Sequence, residues 1–155
     1  MGYVEELRAL LGHRRLILCG SCVLVRDEAG RLLMQERIHP VGRWSFPGGL
    51  MELGESAEDT ARRELYEETA LRVDRLRLIG VYSGPNSLCR AANGDEYYVV
   101  TVAYAAESFT GTARVNDRES VSLAWFLPED IPACMSQSHR KILADYLAQE
   151  AERRA

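Results

Sequence analysis

No stretch of the 155-residue sequence stays apolar for the roughly 20 residues that a membrane-spanning helix needs, and its opening residues show no charged segment leading into an apolar run. The expectation is a cytoplasmic protein without membrane contact. Basic residues are not in excess either: 19 Lys and Arg stand against 23 Asp and Glu, a net charge of -4. That balance excludes a surface built to neutralise a long run of nucleic-acid phosphates, while leaving room for a small nucleotide at a local basic site.

Metal-binding soft ligands are also scarce. The four cysteines include the spacing Cys19-Gly-Ser-Cys22, but no second close pair of Cys or His completes a tetrahedral site, and His13, His39 and His139 are scattered. Cys19 and Cys22 fall in an apolar, strand-like run where residues three apart face opposite sides. Both are expected to be buried, reduced thiols. Repeats, low-complexity tracts and linkers are lacking, and 46% hydrophobic content suffices for one sizeable core, so residues 1–155 read as a single α+β domain.

What is present has a clear order. Val4, Leu7, Leu10 and Leu11 share a helical face in a short amphipathic segment. The strand-like Leu16–Arg26 is followed by the turn "DEAG" and a second strand pattern, "RLLMQER", which together predict a hairpin. After a loop rich in Pro and Gly, Ala57–Thr69 runs without a breaker, with Ser56 placed to cap it and Asp59 three residues on. The segments "LRLIGVYSG", "EYYVVTVAYA" and "VSLAWF" are β-branched and aromatic, and a last helix is expected over about Ser136–Glu150.

The central helix carries Glu64, Glu67 and Glu68 in "RELYEETA". Like charges three and four apart destabilise a helix by about 0.2–0.5 kcal/mol per pair. Two readings remain for such a face. It is a solvated charged stripe, or its carboxylates converge on a hard divalent cation that turns repulsion into attraction, with Arg63 bonding Glu67 from the flank.

The longer stretch "GGLMELGESAEDTARRELYEETAL" strongly resembles the Nudix hydrolase signature G-x5-E-x7-R-E-U-x-E-E-x-G-U, where U is aliphatic. Gly49, Glu55, Arg63, Glu64, Leu65, Glu67, Glu68 and Leu71 occupy eight of its nine specified positions. Ala70 stands where the family has glycine, past the helix end, where a left-handed conformation is often required. The preceding "WSFPGG" is also Nudix-like.

The resemblance implies a Nudix fold, a mixed β-sheet sandwiched between α-helices, and Mg²⁺- or Mn²⁺-dependent attack of water on the diphosphate of a nucleoside diphosphate derivative. It makes Glu64, Glu67 and Glu68 metal ligands together with the Gly49 carbonyl, and places catalysis on Glu67 and Glu68 with Arg63. Family members often recruit another acid from outside the motif; Glu119, shortly before a Trp-bearing strand, is the first candidate and Glu96 the second, with plain loop solvation the alternative for each.

Arg37 is expected to clamp phosphate, and Trp44 either to stack on a base or to fill the core or rim. Ser83–Pro85 resembles a mark of ADP-ribose-type hydrolases, which tilts the expected substrate from nucleoside triphosphates to ADP-sugars. The expected partner is that small nucleotide, with a homodimer left open. Two rivals within the same fold are an isopentenyl-diphosphate isomerase using a catalytic cysteine, for which Cys89 has no motif of its own, and a nucleotide-sensing domain without catalysis.

Overall fold

A computed structural model describes residues 2–155. Helix α1 (Tyr3–Leu11) precedes strands β1 (Leu16–Leu24), β2 (Leu32–Arg37), β3 (Trp44–Ser45) and β4 (Gly48–Leu50). Helix α2 (Ala57–Thr69) leads into β5 (Leu76–Tyr82), β6 (Leu88–Arg90), β7 (Glu96–Ala106) and β8 (Ser120–Phe126), and α3 (Gln137–Arg154) follows. One sheet has the order β4-β1-β7-β5 with β6 added on β7, and the other the order β3-β2-β8. Strands β1 and β7 are parallel, and every other pair is antiparallel.

The continuous apolar run of β1 follows from burial on both faces. Cys22 and Leu24 point into one core with Leu32, Met34, Ile79, Ala103, Ile142 and Tyr146, which joins the two sheets to α3. Val23 and Val25 point into the other, against Ala61, Leu65, Leu71 and Tyr104, which seats α2 on the sheets. Helix α2 is therefore held by its apolar stripe, with Glu67 left exposed and Glu68 buried alongside that stripe.

Two expectations change, and α1 adds a finding of its own. The hairpin forms only at its turn: Asp27 N–H donates to Arg31 O at 2.9 Å and Leu33 N–H to Val25 O at 3.0 Å, after which β1 and β2 enter different sheets. Splaying apart lets Leu32 and Met34 pack opposite Cys22 and Leu24 instead of beside them. Helix α1 contributes nothing to either core; Leu10 is 83% exposed, and the helix is fastened instead by Arg8, whose guanidinium donates to Glu96 O at 3.2 Å and pairs with Asp95. Of the cysteine pair only Cys22 is buried, its thiol pushed up to about 12 by that burial, while Cys19 on the opposite strand face is exposed. All four cysteines are free thiols.

Candidate active site

Helix α2 starts with the expected capping box. Asp59 N–H donates to Ser56 Oγ at 3.0 Å, and Ser56 N–H donates back to Asp59 Oδ2 at 3.1 Å. It ends at Ala70, whose φ of 62° and ψ of 9° are left-handed, the conformation that a motif glycine would adopt without a Cβ penalty. Ala70 N–H still donates to Tyr66 O at 2.9 Å, so the helix end has its regular geometry with an alanine in it.

Arg63 organises the loop in front of this helix. Its Nε donates to Glu55 Oε1 at 2.5 Å and one Nη to Glu55 Oε2 at 2.9 Å, a bidentate fork, while the same Nη reaches Leu50 O at 3.0 Å. Glu55 also accepts from the Thr60 hydroxyl at 2.9 Å and from Glu52 N–H at 3.0 Å. These donors, Arg63 foremost, hold the Glu55 carboxyl down at about 2. The other Nη of Arg63 donates to Glu64 Oε1 at 2.7 Å and Glu67 Oε2 at 3.2 Å, the flanking contact expected from spacing plus one more.

Glu68 is the buried member of the acidic set, 3% exposed. Gly48 N–H donates to its Oε2 at 2.8 Å and Gln35 Nε2 to its Oε1 at 3.2 Å. Burial outweighs these donors and raises its carboxyl to about 8, and Glu64 is raised by burial as well. Glu67 lies more than half exposed. Among the described residues no three acidic, His or Cys groups are gathered closely enough to hold an ion as they stand. The anticipated convergence is thus incomplete: Glu64 and Glu67 lean on Arg63, and Glu68 turns to strand donors.

The two glycines on β4 are dictated by close approach. A Cβ at Gly49 would collide with the Glu64 carboxylate, and one at Gly48 with Ser21 O and Cys22 of the neighbouring strand. Absence of a side chain is what lets the β4 backbone sit against both β1 and α2.

Around this centre, Arg37 Nη2 lies 3.7 Å from Glu119 Oε2, where β2 pairs with β8, and Ile38 N–H donates to Glu119 O at 3.0 Å. The charge of Glu119 is felt at Glu64. Glu96, by contrast, is taken up by Arg15 at 2.7 Å and Arg90 at 2.5 Å. Trp44 is half-buried, with its ring edge-on to Phe126 at 5.1 Å. Cys89, half-buried on β6, has its thiol pushed up by burial, opposite to what a nucleophilic thiolate needs.

The NUDIX domain family model matches residues 19–146. The chain belongs to the Nudix family. A Bacillus subtilis relative named a putative 8-oxo-dGTP diphosphatase is 30% identical over 127 residues, 82% of this chain and 78% of that one. A Methanocaldococcus jannaschii relative named ADP-ribose pyrophosphatase is 30% identical over 125 residues, 80% of this chain and 69% of that one. The crystal structure of a MutT NUDIX hydrolase from Burkholderia pseudomallei superposes with a TM-score of 0.70 at 28% identity, covering 83% of this chain and 97% of that one. The α+β Nudix fold and the enzyme class, a Nudix pyrophosphohydrolase, are those expected from the signature, and this Nudix family is divalent-metal dependent. Among the described residues no helix is long and apolar enough to cross a membrane.

Two features of the site were not singled out in the sequence. Gln35 lies outside the signature, in a strand whose pattern marked it only as one polar residue among apolar ones. Glu55 was placed by the signature without a task, and its several donors show it to be the anchor of the loop carrying Gly49.

Proposed function

We propose that this chain, acting as a single Nudix domain, hydrolyses the diphosphate linkage of a nucleoside diphosphate derivative, with ADP-sugars favoured over nucleoside triphosphates, using Mg²⁺ or Mn²⁺. The observation that carries the reading is the fixed Glu68 carboxylate, buried beside the β4 glycine backbone and on the same helix as Glu64 and Glu67. The donor set fits a hard cation: it is all oxygen, and Gly49 leaves no Cβ between its backbone and Glu64.

Glu64, Glu67, Glu68 and the Gly49 carbonyl would hold the ion, which supplies Lewis-acid polarisation and charge neutralisation at the diphosphate. Arg63 keeps Glu64 and Glu67 from drifting apart and ties them to the loop through Glu55. Glu119, exposed and 3.7 Å from Arg37, would take the proton from the attacking water, and Arg37 would bind a phosphate oxygen with its planar fork. Trp44, anchored on Phe126, is assigned to the base.

Support for ADP-sugars is narrower. Pro85 opens a 3₁₀ turn directly after β5, at the place where the ADP-ribose-type mark was read, and one relative bears the name ADP-ribose pyrophosphatase. A panel of ADP-ribose, other nucleoside diphosphate derivatives and nucleoside triphosphates, scored by nucleoside monophosphate release with and without Mg²⁺, tests both levels. The highest kcat/KM for an ADP-sugar is expected. A triphosphate at the top would overturn the substrate class, and binding without hydrolysis of any of them would favour the sensor alternative.

A further inference from the structure

We propose that Gln35 is a positioning residue for Glu68, fixing the orientation in which that carboxylate meets the cation; this rests on the metal-dependent reading above. Gln35 is completely buried at the centre of β2, between β3 and β8, with Leu33 and Met34 as fully buried chain neighbours. Its side-chain nitrogen donates to Glu68 Oε1 at 3.2 Å, while its side-chain oxygen has no partner among the described residues. A buried amide with an orphaned oxygen is a poor core-filling choice compared with an apolar residue of the same length. Among the described residues its side chain bonds only to Glu68, 33 residues away in sequence.

The amide orientation follows from charge. Turned the other way, its oxygen would face an ionised carboxylate, so the nitrogen must point at Glu68 whenever Glu68 is charged. Gly48 N–H holds the other carboxylate oxygen. The terminal torsion of a glutamate is broad and two-fold when free, and one donor on each oxygen removes that freedom. Glu64 and Glu67 are steadied by Arg63, whereas among the described residues the donors to buried Glu68 come from the strands, Gln35 and Gly48. Partners that orient metal ligands in this way commonly govern affinity by about 10–100-fold.

The test is Mn²⁺ affinity of the substrate-free protein, read by electron paramagnetic resonance of unbound Mn²⁺, for wild type, Gln35→Met and Gln35→Leu, with melting temperature in chelator measured alongside. We expect the Mn²⁺ Kd to rise by about tenfold or more in either variant, with the chelator melting temperature unchanged or higher because an orphaned polar atom is gone. In hydrolysis at saturating Mn²⁺, kcat should fall while KM for the nucleotide stays near wild type. Unchanged Mn²⁺ affinity in a folded variant would overturn the inference and leave the metal-dependent reading intact. Loss of folding in both variants would overturn it too, by showing Gln35 to be a scaffold residue. A wild type that does not bind Mn²⁺ would instead remove the reading on which the inference stands.

Discussion

Arg63 grips Glu55 through two parallel hydrogen bonds, Nε to Oε1 at 2.5 Å and Nη to Oε2 at 2.9 Å, and so joins the helix that carries Glu64, Glu67 and Glu68 to the loop that carries Gly49. A lysine offers a single compact charge and cannot reproduce the fork. Arg63→Lys should therefore destabilise the protein by about 1.5–3 kcal/mol, the range for hydrogen bonds to charged groups, even without metal. Urea unfolding in chelator measures it, and a change within experimental error would show that the loop is held elsewhere.

Ala70 sits at φ 62°, where a Cβ is strained. Ala70→Gly should stabilise by up to about 1 kcal/mol, because glycine populates that region freely and the gain outweighs its added unfolded-state entropy. Thermal unfolding of the two proteins decides the sign, and a loss of stability would contradict the left-handed helix end.

Glu119 and Glu96 differ in what already occupies them: Glu96 is paired with two arginines, whereas Glu119 is exposed beside Arg37. If Glu119 is the base, Glu119→Gln should lower kcat and kcat/KM together by about 10²–10⁴-fold with stability nearly unchanged. Glu96→Gln should cost less than about tenfold in rate on the same basis. Reversed magnitudes would transfer the role.

How much of this was legible in the sequence depended on whether spacing or tertiary proximity sets the feature. Ser56 with Asp59, the span Ala57–Thr69 and the left-handed Ala70 are local, and fixed offsets revealed them. The β1–β2 hairpin was misread because a turn motif reports the turn alone, not which sheet each strand joins. The short strands Trp44–Ser45, Gly48–Leu50 and Leu88–Arg90 are too brief to show alternation and exist because longer partners template them. The amphipathic pattern of α1 marked a face without naming what covers it, and no residue of that helix is buried. Gln35 was invisible for the same reason: its meaning comes from Glu68 across the fold.

His139 accepts a hydrogen bond on Nδ1 from Phe46 N–H at 3.2 Å and stacks on the Phe46 ring at 5.5 Å. Burial, helped by the positive charges of Arg37 and Arg43, lowers its pKa to about 4 from an ordinary 6.5. The folded state keeps the ring neutral while the unfolded chain takes up a proton, so this contribution to stability is complete above pH 6.5 and lost as pH falls toward 4. His139→Gln can still accept from Phe46 N–H and does not titrate. The stability difference between wild type and variant should shift against wild type across that window, with carboxylate contributions common to both cancelling. A difference independent of pH would mean that His139 binds its proton equally well in the folded and unfolded chain.

The central claim is that the acids of α2 hold a divalent cation that hydrolysis requires. The most direct measurement is nucleoside monophosphate release from ADP-ribose by chelator-treated protein, before and after adding Mg²⁺ or Mn²⁺, in wild type and Glu68→Gln. The account predicts no turnover in excess chelator, full recovery in wild type on adding metal, and little recovery in the variant. Undiminished turnover in chelator, or equal recovery by Glu68→Gln, would contradict it.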